Sequence, residues 1–295
     1  MFKHLRVNSL PNKLQPALEN LSISQLIGDA NLPVTIKALN SLPENPKLRL
    51  CRTLIPIKIL SDFAINPRTW KNPDGLIQVK LIADYGSDHI KISAWHGENP
   101  GNEFFYLELA DNVYNGIDLN FVLVSNPMSE RFGTDSDDLG RETLFGTVHR
   151  NLVEEEKAMR AGLAPGQIRE GLHSSQIVIN HIETFLTMMA HHAFFLEPLT
   201  YVSALIFEKR GFAYAKGHHM MDNIHREFQP GGKLNNALDG SSVFRQPDQW
   251  KTMRGRAWAI HDGILDVIDG KWDGLKMIKQ VGRHAGVETF PNADY

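Results

Sequence analysis

Between residues 76 and 125, apolar and polar side chains alternate at every second position, and this alternation constrains the fold more than any other feature of the sequence. The segments LIQVKLIA and HIKISAW flank the residues DYGSD, and EFFYLEL and IDLNFVLV flank ADNVYNG. A period of two places successive side chains on opposite faces of a strand, while Gly, Asp and Asn favour the turns between strands. The sequence therefore predicts two antiparallel hairpins that belong to one sheet.

After residue 140 the apolar residues recur with the period of an α-helix. The segment SSQIVINHIETFLTMMAHHAFFL is apolar around most of its circumference and is therefore expected to be the most buried helix. Gly211 is well placed as the left-handed residue that ends the third helix. The helices are predicted over residues 142–161, 174–196, 199–210 and 215–228.

The change of period predicts an α+β protein, in which a β-hairpin-rich N-terminal segment, residues 1–135, packs on a mostly helical domain, residues 136–295. The boundary falls in MSERFGTDSDDLG, which is acidic and punctuated by glycine, as linkers often are. A chain of 295 residues is long enough for one large domain or two ordinary ones. We expect the chemistry in the second half, because ten of the thirteen histidines lie between His149 and His284.

Charge, cysteine content and hydropathy exclude several classes of function. The formal net charge of −3 provides no basic field for nucleic acid or an acidic membrane surface. The single cysteine, Cys51, excludes an internal disulfide framework and a cysteine-rich zinc or iron–sulfur site. The sequence has no run of about eighteen apolar residues and no apolar stretch typical of a signal peptide. We therefore expect a cytoplasmic protein that acts on a small molecule, binds neither nucleic acid nor membrane, and is either a monomer or a homo-oligomer.

The stretch AKGHHMMDNIHREF, residues 215–228, carries the strongest candidate site. On a helix, His218, Asp222 and His225 fall at positions i, i+4 and i+7, which lie on one side. Two neutral imidazoles and one carboxylate at this spacing come within reach of a single metal ion without distorting the helix. The alternative is the solvated flank of an ordinary amphipathic helix.

Ionisable residues also interrupt the apolar stripes of two preceding helices. His149 and Glu156 fall in the stripe of the first predicted helix, and His181 and His192 fall in that of the second. A buried ionisable group is costly unless it is paired, hydrogen-bonded or metal-bound. The alternatives are that Glu156 meets water at a helix end and that the histidines donate to core carbonyls. The first stripe is formed by Phe145, Val148, Leu152 and Met159. The predicted metal ligands are His218, Asp222, His225, His149, Glu156 and His192.

The His-x3-Asp-x2-His spacing of residues 218–225 is similar to the ligand triad on one core helix of the heme-oxygenase-like dinuclear-iron oxidases. The resemblance implies further Glu and His ligands on other helices, a role that His149 and Glu156 could take. Histidine and carboxylate without thiolate suit non-heme iron or manganese better than structural zinc, and heme is a further candidate cofactor. We therefore expect a non-heme iron-dependent oxidative enzyme that acts on a small organic substrate.

A second group of candidate residues lies in RGRAWAIHDGILD, after a long loop predicted over residues 229–250. The length of this loop and its Pro, Gly, Ser and Asn content are typical of a mobile lid over a pocket. Arg254 and Arg256 could hold a carboxylate or phosphate of the substrate, and His261 could serve in acid–base chemistry. The alternative is that these side chains lie on the surface near a turn.

Two further functions stay open. The segment YVSALIFEKRGFAY, residues 201–214, resembles the helix–Gly–Phe–strand near the C-terminal end of GCN5-related N-acetyltransferases, which implies an acyltransferase that uses acetyl coenzyme A. The basic glycine-rich run expected before a helix in that family has no counterpart, because AGLAPGQIREG has its glycines in a different arrangement. The other alternative is a non-catalytic cofactor-binding or assembly protein, in which the histidines line a pocket or fill the core.

Overall fold

The computed structural model describes residues 34–143 and 148–295, and within these ranges the strands form one seven-stranded sheet. The strands are β1 (Val79–Ile82), β2 (His89–Trp95), β3 (Glu103–Asp111), β4 (Ile117–Val124), β5 (Ala193–Leu196), β6 (Ala213–Lys216) and β7 (Lys276–Gln280). Their order in the sheet is β1-β2-β3-β4-β5-β7-β6. All neighbours are antiparallel except β4 and β5, which run parallel.

The described helices precede, separate and follow the strands along the chain. Several of them begin at a threonine N-cap. Thr35, Thr200 and Thr252 each accept a hydrogen bond from the backbone N–H three residues ahead, which satisfies a donor that the first turn leaves unpaired. The α-helices are α1 (Ile36–Asn40), α2 (Glu44–Cys51), α3 (Ile57–Asp62), α4 (Leu152–Arg160), α5 (Ser175–Met188), α6 (Tyr201–Lys209), α7 (His218–Glu227), α8 (Lys233–Asn236) and α9 (Met253–His261). Short 3-10 helices span Arg52–Leu54, Pro247–Lys251 and Ile264–Ile268.

The predicted α+β class and both hairpins are confirmed. Strands β1 and β2 pair in the register Val79↔Ala94, and β3 and β4 pair in the register Phe105↔Val124. In β2 the buried residues alternate with half-buried ones along the whole strand, as the period-two pattern requires. Alternation therefore identifies these strands because one face of the sheet is buried and the other is partly hydrated.

The second half of the chain contributes three strands, β5, β6 and β7, to the same sheet, so it is less helical than its sequence suggests. The helix predicted over 174–196 is wrong beyond Met188, where α5 ends. Ala190 has a φ of +59°, which a continuing helix cannot accommodate, and Phe194 and Leu196 are then buried at alternate positions of β5. Residues 1–33 lie outside the described part, and the division of the chain at residue 135 stays a prediction.

The helix predicted over 142–161 is shorter than expected, because α4 begins only at Leu152. Its buried face consists of Glu155 and Ala158, whereas Val148 and Leu152, which the apolar pattern assigns to the core stripe, are 58% and 55% exposed. Phe145 lies outside the described residues. The polar partners of Glu155, which the apolar pattern does not reveal, determine which side of the helix is buried.

The segment 229–250, predicted to be a loop, is partly folded. It contains α8, most of a 3-10 helix and the buried side chains of Leu234, Leu238 and Phe244. These apolar contacts hold the segment against the core, and its role as a mobile lid stays a prediction. In the described residues we find no helix with the length and hydropathy required to cross a membrane.

Candidate functional site

The three predicted ligands on α7 do not converge. His218 and Asp222 have exposed side chains, and their closest atoms, Nε2 and Oδ1, are 3.7 Å apart. Gly217, with a φ of +93°, separates α7 from β6, so the helix starts at His218 and not at residue 215. The ring of His218 stacks on that of Tyr214, with centroids 5.3 Å apart.

His225 is turned toward the core and contacts Arg256. Its Nδ1 lies 3.2 Å from Nη1 of Arg256, and since a guanidinium can only donate, Nδ1 accepts and the imidazole is neutral. Burial and the neighbouring charge of Arg256 lower the pKa of His225. A guanidinium at this distance would repel a metal cation bound to the same nitrogen.

The other predicted ligands lie apart from α7 or have different partners. Glu156 forms an exposed ion pair with Arg160, His192 is exposed before β5, and Nδ1 of His181 is 2.8 Å from the carbonyl oxygen of Thr53. His149 is half-buried just before α4. Within residues 34–143 and 148–295, no three side chains of His, Cys, Asp or Glu are grouped so that they could hold a metal ion. The predicted metal centre therefore gains no support from these contacts and stays a prediction.

His261 belongs to a network of charges that the sequence does not predict. Its Nε2 is 3.1 Å from Oε1 of the buried Glu155, which also accepts a hydrogen bond of 3.0 Å from Nε of Arg150. Asp262 joins the network through Arg150, at 3.1 Å, and through Arg245, at 2.8 Å. Burial alone would raise the pKa of Glu155, but the bonds from His261 and Arg150 outweigh it and lower that pKa. The charges in this network are mutually satisfied, which is typical of a structural cluster.

Arg254 and Arg256, which are predicted to act together, point to different places. Arg254 donates to the carbonyl oxygen of Gly162 at 2.7 Å. Arg256 is fully buried, donates to the carbonyl oxygen of Trp250 at 2.7 Å and lies with its Cζ 3.5 Å from the ring centroid of Phe290. Its Nη2 has no hydrogen-bond partner among the described residues.

Strand β4 lies in the middle of the sheet. Within the described ranges it pairs with β5 at a single position, Asp118↔Phe195, and residues 121–124 are half-buried at four consecutive positions. On the other side, the register with β3 shifts so that Asn120 is an extra residue, a bulge. Bulges bend a strand and are frequent next to functional sites. On the β5 side, β5 ends at Leu196, one residue beyond this contact, and β4 continues to Val124.

The first turn of α5 lies beside the end of β4. Asn126 donates to the carbonyl oxygen of Glu170 at 2.7 Å, and Ser125 bridges Gly171, so the chain leading into α5 is fixed against β4. Ser174, at the N-cap position, makes no capping hydrogen bond among the described residues, and its hydroxyl instead donates to the carbonyl oxygen of Leu172. The N–H groups of this turn therefore remain available for an anion.

Arg210 brings a positive charge to the same turn. Its Nε donates to Oγ of Ser175 at 3.0 Å, and its Nη1 donates to Oε1 of Gln176 at 3.3 Å. A cation at the N-terminus of a helix opposes the helix dipole, whereas a bound anion between them reverses the sign of this interaction. The residues before α5 do not predict this cation, because it comes from the end of α6.

The helix–Gly–Phe–strand feature has the predicted local structure. Helix α6 ends at Lys209, Gly211 has a φ of +84°, Phe212 is fully buried and β6 follows. A Cβ on Gly211 would lie 2.9 Å from Cα of His284. The predicted glycine cap is therefore confirmed.

No protein-family model matches this chain, and neither does any curated protein or solved structure. We therefore infer its function from the arrangement of its own residues. Residues 119–123 of β4, the first turn of α5 and Arg210 together present backbone hydrogen-bonding groups and one cation.

Proposed function

We propose that the chain is an acyltransferase that takes its acyl group from an acyl coenzyme A bound between β4 and β5. The observation that carries the proposal is that β4 continues past the end of β5, which leaves residues 119–123 without a described strand partner on that side in the middle of the sheet. Ligands of open sheets with parallel strands bind in the crevice at the carboxyl ends of those strands. The resemblance of residues 201–214 to GCN5-related N-acetyltransferases supports the same function.

The pantetheine arm of coenzyme A suits the open edge of β4. It is a narrow, extended chain with two amide groups, which can exchange hydrogen bonds with strand N–H and C=O groups as an added strand does. Val122 and Val124 offer apolar contacts to its methylene groups. Between Leu119 and Leu123, no other described strand competes for this edge.

The diphosphate of the coenzyme suits the first turn of α5. The N–H groups of this turn and the guanidinium of Arg210 present several donors and one positive charge to an anion. The short segment 170–174 connects the two places, because Gly171 pairs with Ser125 just after β4 and Ser174 directly precedes α5. One extended ligand would therefore contact both.

The reaction would transfer the acyl group to an amine on a small molecule. The nitrogen lone pair attacks the thioester carbonyl carbon, the C–N bond forms as the C–S bond breaks, and the departing thiolate takes the proton that the nitrogen loses. A cytoplasmic location, as expected from the sequence, would give access to acyl coenzyme A.

Isothermal titration calorimetry with coenzyme A and acetyl coenzyme A tests the proposal directly. We expect wild-type protein to bind both, and Arg210→Gln to bind at least about tenfold more weakly, since a hydrogen bond to a charged group contributes about 1.5–3 kcal/mol. The matched control is Arg160→Gln, which removes an exposed arginine that pairs with Glu156 and should leave affinity unchanged. Absence of binding by the wild type, or equal affinities of wild type and Arg210→Gln, would overturn the proposal.

Turnover is then tested by incubating the protein with acetyl coenzyme A and candidate amines. A thiol reagent detects the free coenzyme A that the reaction releases. The assay has a low background because the pKa of Cys51 is raised to about 12 by burial, so its thiol is unreactive in the folded protein. The iron-dependent oxidative function and the non-catalytic alternative remain predictions that no contact among the described residues favours.

A further inference from the structure

Two fully or almost fully buried charges lie between α6, α9 and the C-terminal segment, and neither has a counter-ion among the described residues. Glu208 of α6 is 2% exposed and Arg256 of α9 is 0% exposed. No described side chain forms an ion pair with either. A buried charge without a partner of opposite sign is strongly disfavoured, so a ligand with one charge of each sign would stabilise both residues.

Glu208 accepts three hydrogen bonds and donates none. Its donors are the N–H of Thr289 at 2.9 Å, the hydroxyl of Thr289 at 2.6 Å and the hydroxyl of Tyr214 at 2.6 Å. A carboxylate has about four acceptor positions, so Glu208 can accept one more donor. Burial and the negative charge of Glu208 raise the pKa of Tyr214, which keeps this hydroxyl a donor.

Arg256 has unused donor capacity. Its hydrogen bonds go to Trp250, Tyr201 and His225, and Nη2 has no partner in the described part of the chain. Cζ of Arg256 lies 3.5 Å from the ring centroid of Phe290 and 5.1 Å from that of Phe228. Three neutral partners and two aromatic rings supply no counter-ion, whereas a carboxylate would supply both the negative charge and the missing acceptor.

A cavity of about 310 Å³ lies beside Glu208 and is separated from Arg256 by the ring of Phe290. Glu208 lines it directly, and so do Met253 and Phe290, the first from the helix of Arg256 and the second from the ring that covers its guanidinium. The volume suits a small metabolite. The C-terminal segment forms one wall, since Lys209 donates to the carbonyl oxygen of Ala293 at 3.0 Å.

We propose that this cavity binds a small zwitterion of the amino-acid type, with its ammonium group at Glu208 and its carboxylate at Arg256 once the Phe290 ring turns aside. Glu208 and Arg256 form no ion pair with each other, although Arg256 contacts Tyr201 on the same helix as Glu208. A ligand that contacts both must hold its two charges apart, as an ω-amino acid does. This proposal does not rest on the proposed acyl transfer, because it uses other residues and its test measures binding of the zwitterion alone.

A series of amino acids of increasing length tests the proposal by calorimetry. The probes are glycine, 4-aminobutyrate and 6-aminohexanoate, with acetate and butylamine as single-charge controls. We expect one of the longer zwitterions to bind at least tenfold more tightly than glycine and than either control. The same ligand should slow hydrogen exchange in residues 284–293, which wall the cavity.

Variants then assign the two charges. Glu208→Gln and Arg256→Lys should each weaken the best zwitterion at least tenfold, while Glu156→Gln, an exposed glutamate on α4 that does not line the cavity, should not change its affinity. If Arg256→Lys fails to fold by circular dichroism, Glu208→Gln and the length series decide. The proposal is overturned if no zwitterion binds, if acetate or butylamine binds equally well, or if Glu208→Gln binds like the wild type.

Discussion

The Nε of Arg210 lies 3.0 Å from Oγ of Ser175, which joins the end of α6 to the first turn of α5. These residues are thirty-five positions apart in the sequence. Their contact places a guanidinium where helix N–H groups are available, beside the end of β4. The guanidinium of Arg210 and the N–H groups of the first turn of α5 together form a candidate anion site.

Gly211 directly follows Arg210, and we expect Gly211→Ala to destabilise the protein by roughly 2–4 kcal/mol, about 1 from the positive φ and about 1–3 from the crowding. Both the φ of +84° and the backbone of His284, whose Cα lies 2.9 Å from the position that a Cβ would occupy, oppose the substitution. Gly231→Ala is the matched control, since Gly231 has a φ of +88° but no described atom within 4 Å of such a Cβ. Urea unfolding should show a loss of only about 1 kcal/mol for the control. Equal losses would mean that the approach of His284 has no energetic consequence.

Glu155 should make the stability of the protein depend on acidic pH. Its pKa is lowered in the folded state, so its contribution is present above the unfolded pKa and is lost as the pH falls through the folded pKa. We expect the free energy of unfolding to fall as the pH decreases below about 4.5, and to fall less in Glu155→Gln. Urea unfolding between neutral and acidic pH measures this difference. A pH profile unchanged by the substitution would contradict it.

The neighbouring glutamates Glu155 and Glu156 should differ sharply at neutral pH. Glu155→Gln breaks a buried network with Arg150 and His261, which typically costs about 3–5 kcal/mol. Glu156→Gln removes only an exposed pair with Arg160 and should change stability by about 1 kcal/mol or less. Thermal or urea unfolding of both variants measures this difference. A larger loss of unfolding free energy for Glu156→Gln would instead support the buried face of α4 predicted from the sequence.

The residues of the predicted metal triad should also separate by stability. His225→Ala removes the acceptor of Arg256 and should cost about 1–3 kcal/mol, whereas His218→Ala, at an exposed position, should change stability by about 0.5 kcal/mol or less. Elemental analysis of the wild type and both variants tests the metal hypothesis itself. A stoichiometric metal in the wild type that is lost in both variants would favour the iron site over the contacts described above.

Cys51 should be inert in the folded protein. Burial raises the pKa of its thiol to about 12, so the reactive thiolate is scarce at neutral pH. We expect a maleimide to leave native protein unmodified over a period in which the urea-unfolded chain reacts completely. Mass spectrometry of both samples measures this, and rapid modification of the native protein would show that the core around α2 opens.

The residues of 76–125 by themselves determined the hairpins, because alternation along a strand is a local property that a half-buried sheet imposes on its own sequence. The left-handed conformation of Gly211 was local in the same sense, since only its own backbone and the end of one helix are involved. The helical pattern after residue 140 was also correct where one apolar stripe faces the core, as in α6.

Only the tertiary structure decided the rest. The apolar run AFFL reads equally well as helix or strand, and its pairing with β7, more than eighty residues later, made it a strand. The sequence alone was consistent with His225, His261 and Arg256 as ligands, catalytic groups, surface residues or substrate contacts, and their actual partners come from distant parts of the chain. Charges and hydrogen bonds act over a few ångströms in space, so sequence spacing along one helix cannot reveal which residue supplies the opposite charge.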